Sequence, residues 1–142
     1  LYRAALHDDA NTLPTWFQEV ISTYVSILND CDYSLANHWD NARYLIDDEG
    51  RADAIETALK ARRPEDAFEG PELALLCYAE KLTLSPANMI QADVTVLKTA
   101  GIDDGQILEA NQIICYFNYV NRSLNGLGVS TDGDVVGYYA KT

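Results

Sequence analysis

The sequence predicts an all-α fold, and three observations lead to this prediction. Apolar residues recur at steps of three and four along most of the chain, as they do on one face of a helix. No segment alternates between apolar and polar residues as a β-strand does, and no repeat has solenoid spacing. Proline, glycine, asparagine and aspartate interrupt the apolar pattern where helices would begin and end. Because 48% of the 142 residues are hydrophobic, we expect a single domain, residues 1–142, with a sizeable core.

Two helices near the N-terminus carry the residues of most chemical interest. Apolar residues at three- and four-residue steps, behind a proline in the first turn, predict a helix over 14–29. Asn29 and Asp30 break this helix, and either can cap a second helix over 31–46, for which Gly50 is a natural stop. Because almost no chain separates them, the two helices are expected to form an antiparallel hairpin or a sharp elbow.

Shorter helices and one long helix are predicted on either side of this pair. The chain begins with Leu1 rather than Met, and we interpret its apolar start as the end of a helix that begins upstream. The tail, 130–142, is interpreted as an extended arm suited to packing on another subunit. Between them, apolar stripes with flanking Pro, Gly and Asp residues predict helices over 51–61, 71–82, 92–100 and 104–126.

Charge and cysteine content narrow the classes of function. The formal charge is −12, and the ten Lys and Arg residues are scattered, so we expect neither nucleic acid nor an anionic membrane surface as a partner. No stretch approaches the roughly 18 apolar residues of a membrane span, and no signal-peptide pattern precedes an apolar run. The odd number of cysteines predicts reduced thiols in a cytoplasmic protein, and none of them is paired at metal-ligand spacing. We expect no metal and no cofactor. These cysteines are Cys31, Cys77 and Cys115.

Three polar residues share one face at the start of the second predicted helix. Cys31, Ser34 and His38 are three and four positions apart, so their side chains stack on a helix. A thiol in a first turn lies near unpaired backbone N–H groups, which favour the thiolate, whereas the charges of Asp30 and Asp32 oppose it. The alternative is that Cys31 is a small apolar residue filling a corner of the core, which is the commoner case for a lone cysteine.

Glu19 and His38 are the candidate acid–base residues. Glu19 lies among apolar positions of the first predicted helix, where a carboxylate is costly unless it has a partner. His38 on the neighbouring helix is a candidate partner, and the carboxylate would then orient the imidazole as the acid of a catalytic triad does. The alternatives are a histidine satisfied in the core and a solvated glutamate at the edge of the apolar stripe.

The remaining polar and sulfur-containing residues receive weaker interpretations. Cys77 and Cys115 lie on apolar helix faces and are expected in the core. His7 lies in a polar terminus and is assigned no role. A polar line along the last helix is expected either to line a pocket or interface or to be a set of surface side chains. Its members are Asn111, Asn118, Asn121 and Arg122.

These residues resemble a known family. The spacing of four residues is similar to that in the AhpD-like proteins of the carboxymuconolactone decarboxylase superfamily. In this sequence, eleven residues separate Glu19 from Cys31, two separate Cys31 from Ser34, and three separate Ser34 from His38. That family has Glu, then Cys-x-x-Cys, then three residues and His. The second half resembles the peroxidase-related branch, and the likeness extends over about 13–129. The matching segments are 73–82, 93–101, 116–122 and 126–128.

The resemblance implies a fold, an assembly and an activity. It implies an all-helical AhpD-like domain that assembles into trimers or hexamers and reduces hydroperoxides or a partner's disulfide through a cysteine pair. Carried over, Glu19 and His38 are the proton relay and Cys31 is the first cysteine of the pair. Ser34 stands where the family has its second cysteine, which in the well-known members is oxidised to sulfenic acid. A serine hydroxyl cannot follow that chemistry.

Three functional interpretations follow from this departure. In the first, which we favour, Cys31 alone reduces peroxide, Ser34 donates a hydrogen bond beside it, and an external thiol or partner redox protein recycles the sulfur. In the second, Glu19 and His38 perform acid–base chemistry on a small carbonyl or lactone substrate without the thiol. In the third, the protein is a binding or assembly module without catalysis.

Overall fold

The computed structural model describes residues 1–139, and within that range it contains only helices. The all-α prediction is confirmed, since no strand occurs in the described part of the chain. Two short 3-10 helices, Pro64–Asp66 and Pro86–Asn88, join longer elements. The α-helices are α1 (Tyr2–Leu6), α2 (Thr15–Leu28), α3 (Asp32–Ile46), α4 (Glu49–Lys60), α5 (Gly70–Leu84), α6 (Gln91–Thr99) and α7 (Asp104–Leu127). No helix within 1–139 is long and apolar enough to cross a membrane.

Helix α2 lies at the centre of the fold and packs against α3, α5 and α7. Eleven of its 14 residues are buried, so its polar positions are drawn into the interior together with its apolar ones. Glu19 and Ser26 are both fully buried for this reason. A central helix surrounded on several sides therefore presents polar groups to α3 and α7, where they need hydrogen-bond partners.

A tight antiparallel connection joins α2 to α3. Asp30 adopts a left-handed backbone with φ 49°, and the Cys31 N–H donates to the Ser26 carbonyl at 2.9 Å. The prediction that Asn29 or Asp30 caps the second helix was wrong, because Asn29 closes α2 and Cys31 occupies the N-cap position of α3. The thiol therefore lies just before the helix rather than within its first turn.

Helix α3 ends at Ile46 as predicted, but the residue that closes it is not the predicted one. Asp47 adopts a left-handed conformation with φ 51° and closes the helix, so Gly50 is not the stop. Gly50 lies instead in the first turn of α4, which Asp48 caps by accepting a hydrogen bond from the Arg51 N–H at 3.0 Å. Aspartate therefore supplies both the left-handed residue that closes α3 and the N-cap of α4, so neither position needs glycine.

The described part of the predicted arm folds back over α3 of its own chain. The Gly137 N–H donates to Asn37 Oδ1 at 3.1 Å, and the Tyr138 N–H donates to Asn41 Oδ1 at 2.6 Å. The last three residues of that arm, 140–142, lie outside the described residues. Packing of the arm on another subunit stays a prediction.

Candidate functional site

Glu19 of α2 and His38 of α3 form a close polar pair inside the helix pair. The His38 Nδ1 lies 2.7 Å from Glu19 Oε2, and the Asn41 Nδ2 group donates to Glu19 Oε1 at 3.4 Å. The Glu19 side chain is fully buried, whereas the His38 side chain keeps 13% of its exposure. A buried carboxylate is tolerated when donors surround it, and these two side chains supply them.

The pairing leaves one nitrogen of the imidazole available for proton transfer. A carboxylate only accepts hydrogen bonds, so the neutral ring carries its proton on Nδ1 and presents an unprotonated Nε2. The ring packs edge-on against Phe117 of α7, with centroids 4.5 Å apart, and Tyr2 of α1 lies 6.3 Å away. The His38 ring is thus paired with one carboxyl group and lies beside two aromatic rings.

Cys31 is buried at the N-cap of α3 and is only 1% exposed. Burial raises the pKa of its thiol, and the negative charge of Asp32 adds to the effect. The Ser34 backbone N–H lies near the sulfur and opposes this shift in pKa, although it makes no cap hydrogen bond of normal geometry. Burial thus outweighs the helix-terminus effect that favours a thiolate, and the resting group is a thiol.

The Ser34 hydroxyl is buried, and its hydrogen-bond partner lies on α2. It shares a hydrogen bond of 2.8 Å with the Ser26 hydroxyl, which also donates to the Ser22 carbonyl and lies 3.3 Å from Asn121 Oδ1. The prediction of a hydroxyl donating beside Cys31 was wrong, because the buried face of α2 offers Ser34 a closer partner. Ser34 acts near the sulfur only through its backbone N–H.

Comparison with known proteins identifies solved structures with a similar fold. No protein-family model matches the sequence. No curated protein matches it either. Among solved structures, an uncharacterized peroxidase-related protein from Silicibacter sp. TM1040 superposes with a TM-score of 0.81 over 91% of this chain at 24% identity. A second, described as the alkylhydroperoxidase AhpD core of a peroxidase-related protein from Ralstonia eutropha JMP134, has a TM-score of 0.77 over 88% of the chain at 22% identity.

The chain has the AhpD-like fold. A third solved structure, a Cys-to-Ala variant of the debrominase Bmp8 in complex with 2,3,4-tribromopyrrole, superposes with a TM-score of 0.74 over 91% of this chain at 17% identity. The resemblance read from the sequence is therefore confirmed at the level of the fold. This chain spans 65%, 63% and 65% of the lengths of the three structures, in the order given.

The AhpD-like fold leaves the other two cysteines at the surface, so the prediction that they belong to the core was wrong. Cys77 lies at the edge of the apolar stripe of α5 and faces a cavity of about 420 Å³ between α5 and α6. Cys115 lies on the outer side of α7 and faces a second cavity of about 350 Å³ next to α1. Helix spacing alone does not separate the centre of an apolar stripe from its edges. Although both cysteines are exposed, partial loss of solvent beside the neighbouring helices raises the pKa of both thiols, and the negative charges of Glu80 and Glu65 add to the increase at Cys77.

The polar line on α7 makes hydrogen bonds between helices. The Asn111 Nδ2 group donates to the Tyr78 hydroxyl at 2.9 Å, and the Asn118 Nδ2 group donates to Thr83 Oγ1 at 3.1 Å. Arg122 donates back to Asn118 Oδ1 at 2.9 Å. The line therefore consists mainly of inter-helix contacts rather than a pocket wall or free surface side chains.

Sequence reasoning missed three residues near the candidate site. Asn41 follows His38 by one helical turn and carries the second donor to Glu19, a spacing that the sequence already displays. Tyr2 and Phe117 contact the imidazole from distant parts of the chain, and no local sequence pattern predicts these contacts. Within residues 1–139, no group of three or more His, Cys, Asp or Glu side chains is arranged to hold a metal ion.

Proposed function

We propose that this chain reduces small hydroperoxides through the Cys31 thiol, with Glu19 and His38 moving the proton. The observation that carries the proposal is the buried Glu19 carboxylate 2.7 Å from the His38 ring, on the helix that Cys31 caps. Because burial raises the pKa of the thiol, its reaction needs a base, and the Nε2 atom of His38 is suited to that task.

The reaction balances with one sulfur and an external reductant. The Cys31 sulfur, deprotonated by His38, attacks the hydroperoxide; an S–O bond forms, the O–O bond breaks, and the alkoxide takes the proton and leaves as an alcohol. Cys31 is oxidised to a sulfenic acid. One external thiol then forms a mixed disulfide with Cys31 and releases water, and a second releases Cys31 and an external disulfide. Ser34 takes no part in this recycling, since it has no sulfur.

The descriptions of the structural neighbours support the proposal of peroxide reduction. Two are peroxidase-related proteins, and the third is a debrominase whose complex holds a small halogenated ring. We further propose that the substrate is a small hydroperoxide or disulfide and that an external thiol or a partner redox protein recycles the Cys31 sulfur. We also propose that the chain assembles into trimers or hexamers in the cytoplasm. The formal charge of −12 supports neither nucleic acid nor an anionic membrane as a partner.

A second candidate is acid–base chemistry at His38 that does not use the thiol. The observation that favours it is the 1% exposure of Cys31, compared with 13% for the His38 side chain. A small carbonyl or lactone substrate that reaches the Nε2 atom would exchange a proton there without contacting sulfur.

The two candidates differ in how they respond to two substitutions. We would measure consumption of hydrogen peroxide and cumene hydroperoxide, with dithiothreitol as reductant, for the unmodified chain, Cys31→Ala and His38→Ala. Peroxide reduction predicts loss of activity in both variants, with Cys77→Ala unaffected as the matched control. Turnover of a model lactone that persists in Cys31→Ala and disappears in His38→Ala would establish the second candidate instead. If no variant turns over any substrate, both catalytic candidates fail and a binding module is left.

A further inference from the structure

Asn41 connects the C-terminal segment to the acid of the candidate site. Its side chain is 2% exposed, and both ends of its amide are occupied. The Nδ2 group donates to Glu19 Oε1 at 3.4 Å, and Oδ1 accepts the Tyr138 N–H at 2.6 Å. The reverse orientation would place oxygen against carboxylate and NH2 against N–H, so the two neighbours fix the amide.

The segment 129–139 is seated closely on α3 where it meets Asn41. Gly137 has φ +88°, and a Cβ atom there would lie 1.8 Å from Asp40 Oδ2, so only glycine fits without displacement. The Gly137 N–H donates to Asn37 Oδ1, one helical turn before Asn41. The Tyr139 ring stacks on Tyr44 with an interplanar angle of 5°. Two amides therefore hold the segment, but only Asn41 also reaches Glu19.

The charge of Glu19 acts on the same segment. Burial raises the pKa of Tyr139, and the negative charge of Glu19 adds to this increase. Tyr2 of α1 shows the same two effects in the same order. The surroundings of the carboxylate thus include one phenol from the tail and one from α1, in addition to His38 and Asn41.

We propose that Asn41 is a positioning residue through which the segment 129–139 holds the Glu19 carboxylate in place for His38. Asn41 occupies Oε1 and leaves Oε2 directed at the ring. When the tail releases the amide, the carboxylate is free to rotate and the Nδ1–H group loses its fixed acceptor. The proposal deepens the proposed function, on which its consequence for proton transfer rests, and it assigns the tail a role in ordering the site.

The test is nitrogen NMR of the histidine rings in the full ¹⁵N-labelled chain, at a pH where the rings are neutral. The chain has only two histidines, so His7→Gln assigns the signals. The unmodified chain should show His38 protonated on Nδ1, and Asn41→Ala should convert this to a mixture of tautomers. Asn111→Ala is the control, because Asn111 donates to the Tyr78 hydroxyl and is hydrogen-bonded neither to Glu19 nor to the segment 129–139, so this variant should keep the original tautomer.

A second pair of variants tests the tail without altering α3. Gly137→Ala and Gly133→Ala place the same side chain at similar backbone angles, φ +88° and +82°, but only the first meets Asp40. Gly137→Ala should move the His38 signals toward those of Asn41→Ala, and Gly133→Ala should leave them unchanged. This pair decides the matter if Asn41→Ala does not fold.

The proposal is overturned if His38 keeps its tautomer in both Asn41→Ala and Gly137→Ala, or if the two controls change it as strongly. Because the NMR measurement needs no substrate, it tests the positioning role of Asn41 independently of the proposed peroxide reduction. If the variants alter the tautomer but the chain does not turn over peroxide, the proposed function is excluded and the positioning role of Asn41 is supported. An active chain should lose about tenfold or more in turnover with Asn41→Ala. If the variants keep full turnover and an unaltered tautomer, only the positioning role of Asn41 is excluded.

Discussion

The Nδ1 atom of His38 lies 2.7 Å from the Oε2 atom of Glu19, although 19 positions separate the two residues. The Glu19 side chain is fully buried in the central helix, so side chains rather than water supply its hydrogen-bond donors. This pairing fixes the orientation of the His38 ring, and the first prediction tests its importance for the proposed reaction.

Neutralising the acid should slow the reaction while the fold is kept. Glu19→Gln keeps a polar group next to Nδ1 but removes the negative charge that orients and stabilises the protonated ring. We expect kcat/KM for hydroperoxide to fall by about 10²-fold, a common contribution of general acid–base catalysis. The measurement is steady-state peroxide consumption. Glu80→Gln is the matched control, because it removes a carboxylate that binds the Tyr24 hydroxyl at 2.6 Å, and its rate should be unchanged.

The Cys31 thiol should react slowly near neutral pH and faster in alkaline solution. Its pKa is raised by burial, so less thiolate exists at pH 7 than for an ordinary cysteine. Iodoacetamide labelling, followed by peptide mass spectrometry, should modify the exposed Cys77 and Cys115 before Cys31. Rapid labelling of Cys31 at pH 6 would show that its thiolate is stabilised instead.

The same shift in pKa predicts a dependence of stability on pH. A group whose folded pKa exceeds its unfolded value stabilises the fold fully below the unfolded pKa and loses that contribution as pH rises through the folded pKa. The free energy of unfolding should therefore decrease as pH rises above the ordinary thiol range. Urea titrations should show a shallower decrease for Cys31→Ala than for the unmodified chain. An identical slope for both proteins would contradict the assigned burial.

Restoring a second thiol should change the oxidation product. In Ser34→Cys a sulfur replaces the hydroxyl that binds Ser26, so we expect a loss of about 1 kcal/mol in unfolding free energy. Peroxide should then yield an intramolecular disulfide with Cys31 in place of a sulfenic acid. Mass spectrometry without reduction measures the linked peptides. Ser34→Ala, which loses the same hydrogen bond without adding sulfur, should form no such link and be destabilised to a similar degree.

A contact distant from the site should contribute to stability alone. The Glu109 carboxylate on α7 accepts hydrogen bonds from the Thr12 and Leu13 N–H groups, at 2.8 and 2.9 Å, just before α2 begins. Glu109→Ala should lower the free energy of unfolding by about 1–3 kcal/mol, since two backbone donors lose a charged partner. Thermal and urea unfolding measure this. Glu69→Ala is the control, because that side chain caps no helix.

The sequence predicted the fold class and part of the site for definite physical reasons. Periodic apolar residues report helices directly, and a carboxylate among them at Glu19 indicated a polar partner on the next helix. His38 was the candidate partner on the neighbouring helix, and the structure does bring the two together. The roles of Glu19, Cys31, Ser34 and His38 in catalysis stay predictions.

What the sequence did not reveal depends on packing. Whether Cys31 caps α3 or opens it, and how deeply it is buried, is decided by the way the helices meet. The contact of Tyr138 with Asn41 joins residues 97 positions apart, and no periodic pattern encodes so distant a pairing. The exposure of Cys77 likewise depends on where α6 lies against α5.

The most direct measurement is the fate of the Cys31 sulfur after one equivalent of hydrogen peroxide, with dimedone present to trap sulfenic acid. Peptide mass spectrometry would compare the unmodified chain with His38→Ala. The account predicts a dimedone adduct on Cys31 that forms much more slowly in the variant. If Cys31 stays unmodified while Cys77 and Cys115 are oxidised, or if its adduct forms equally fast without His38, the proposed thiol chemistry is contradicted.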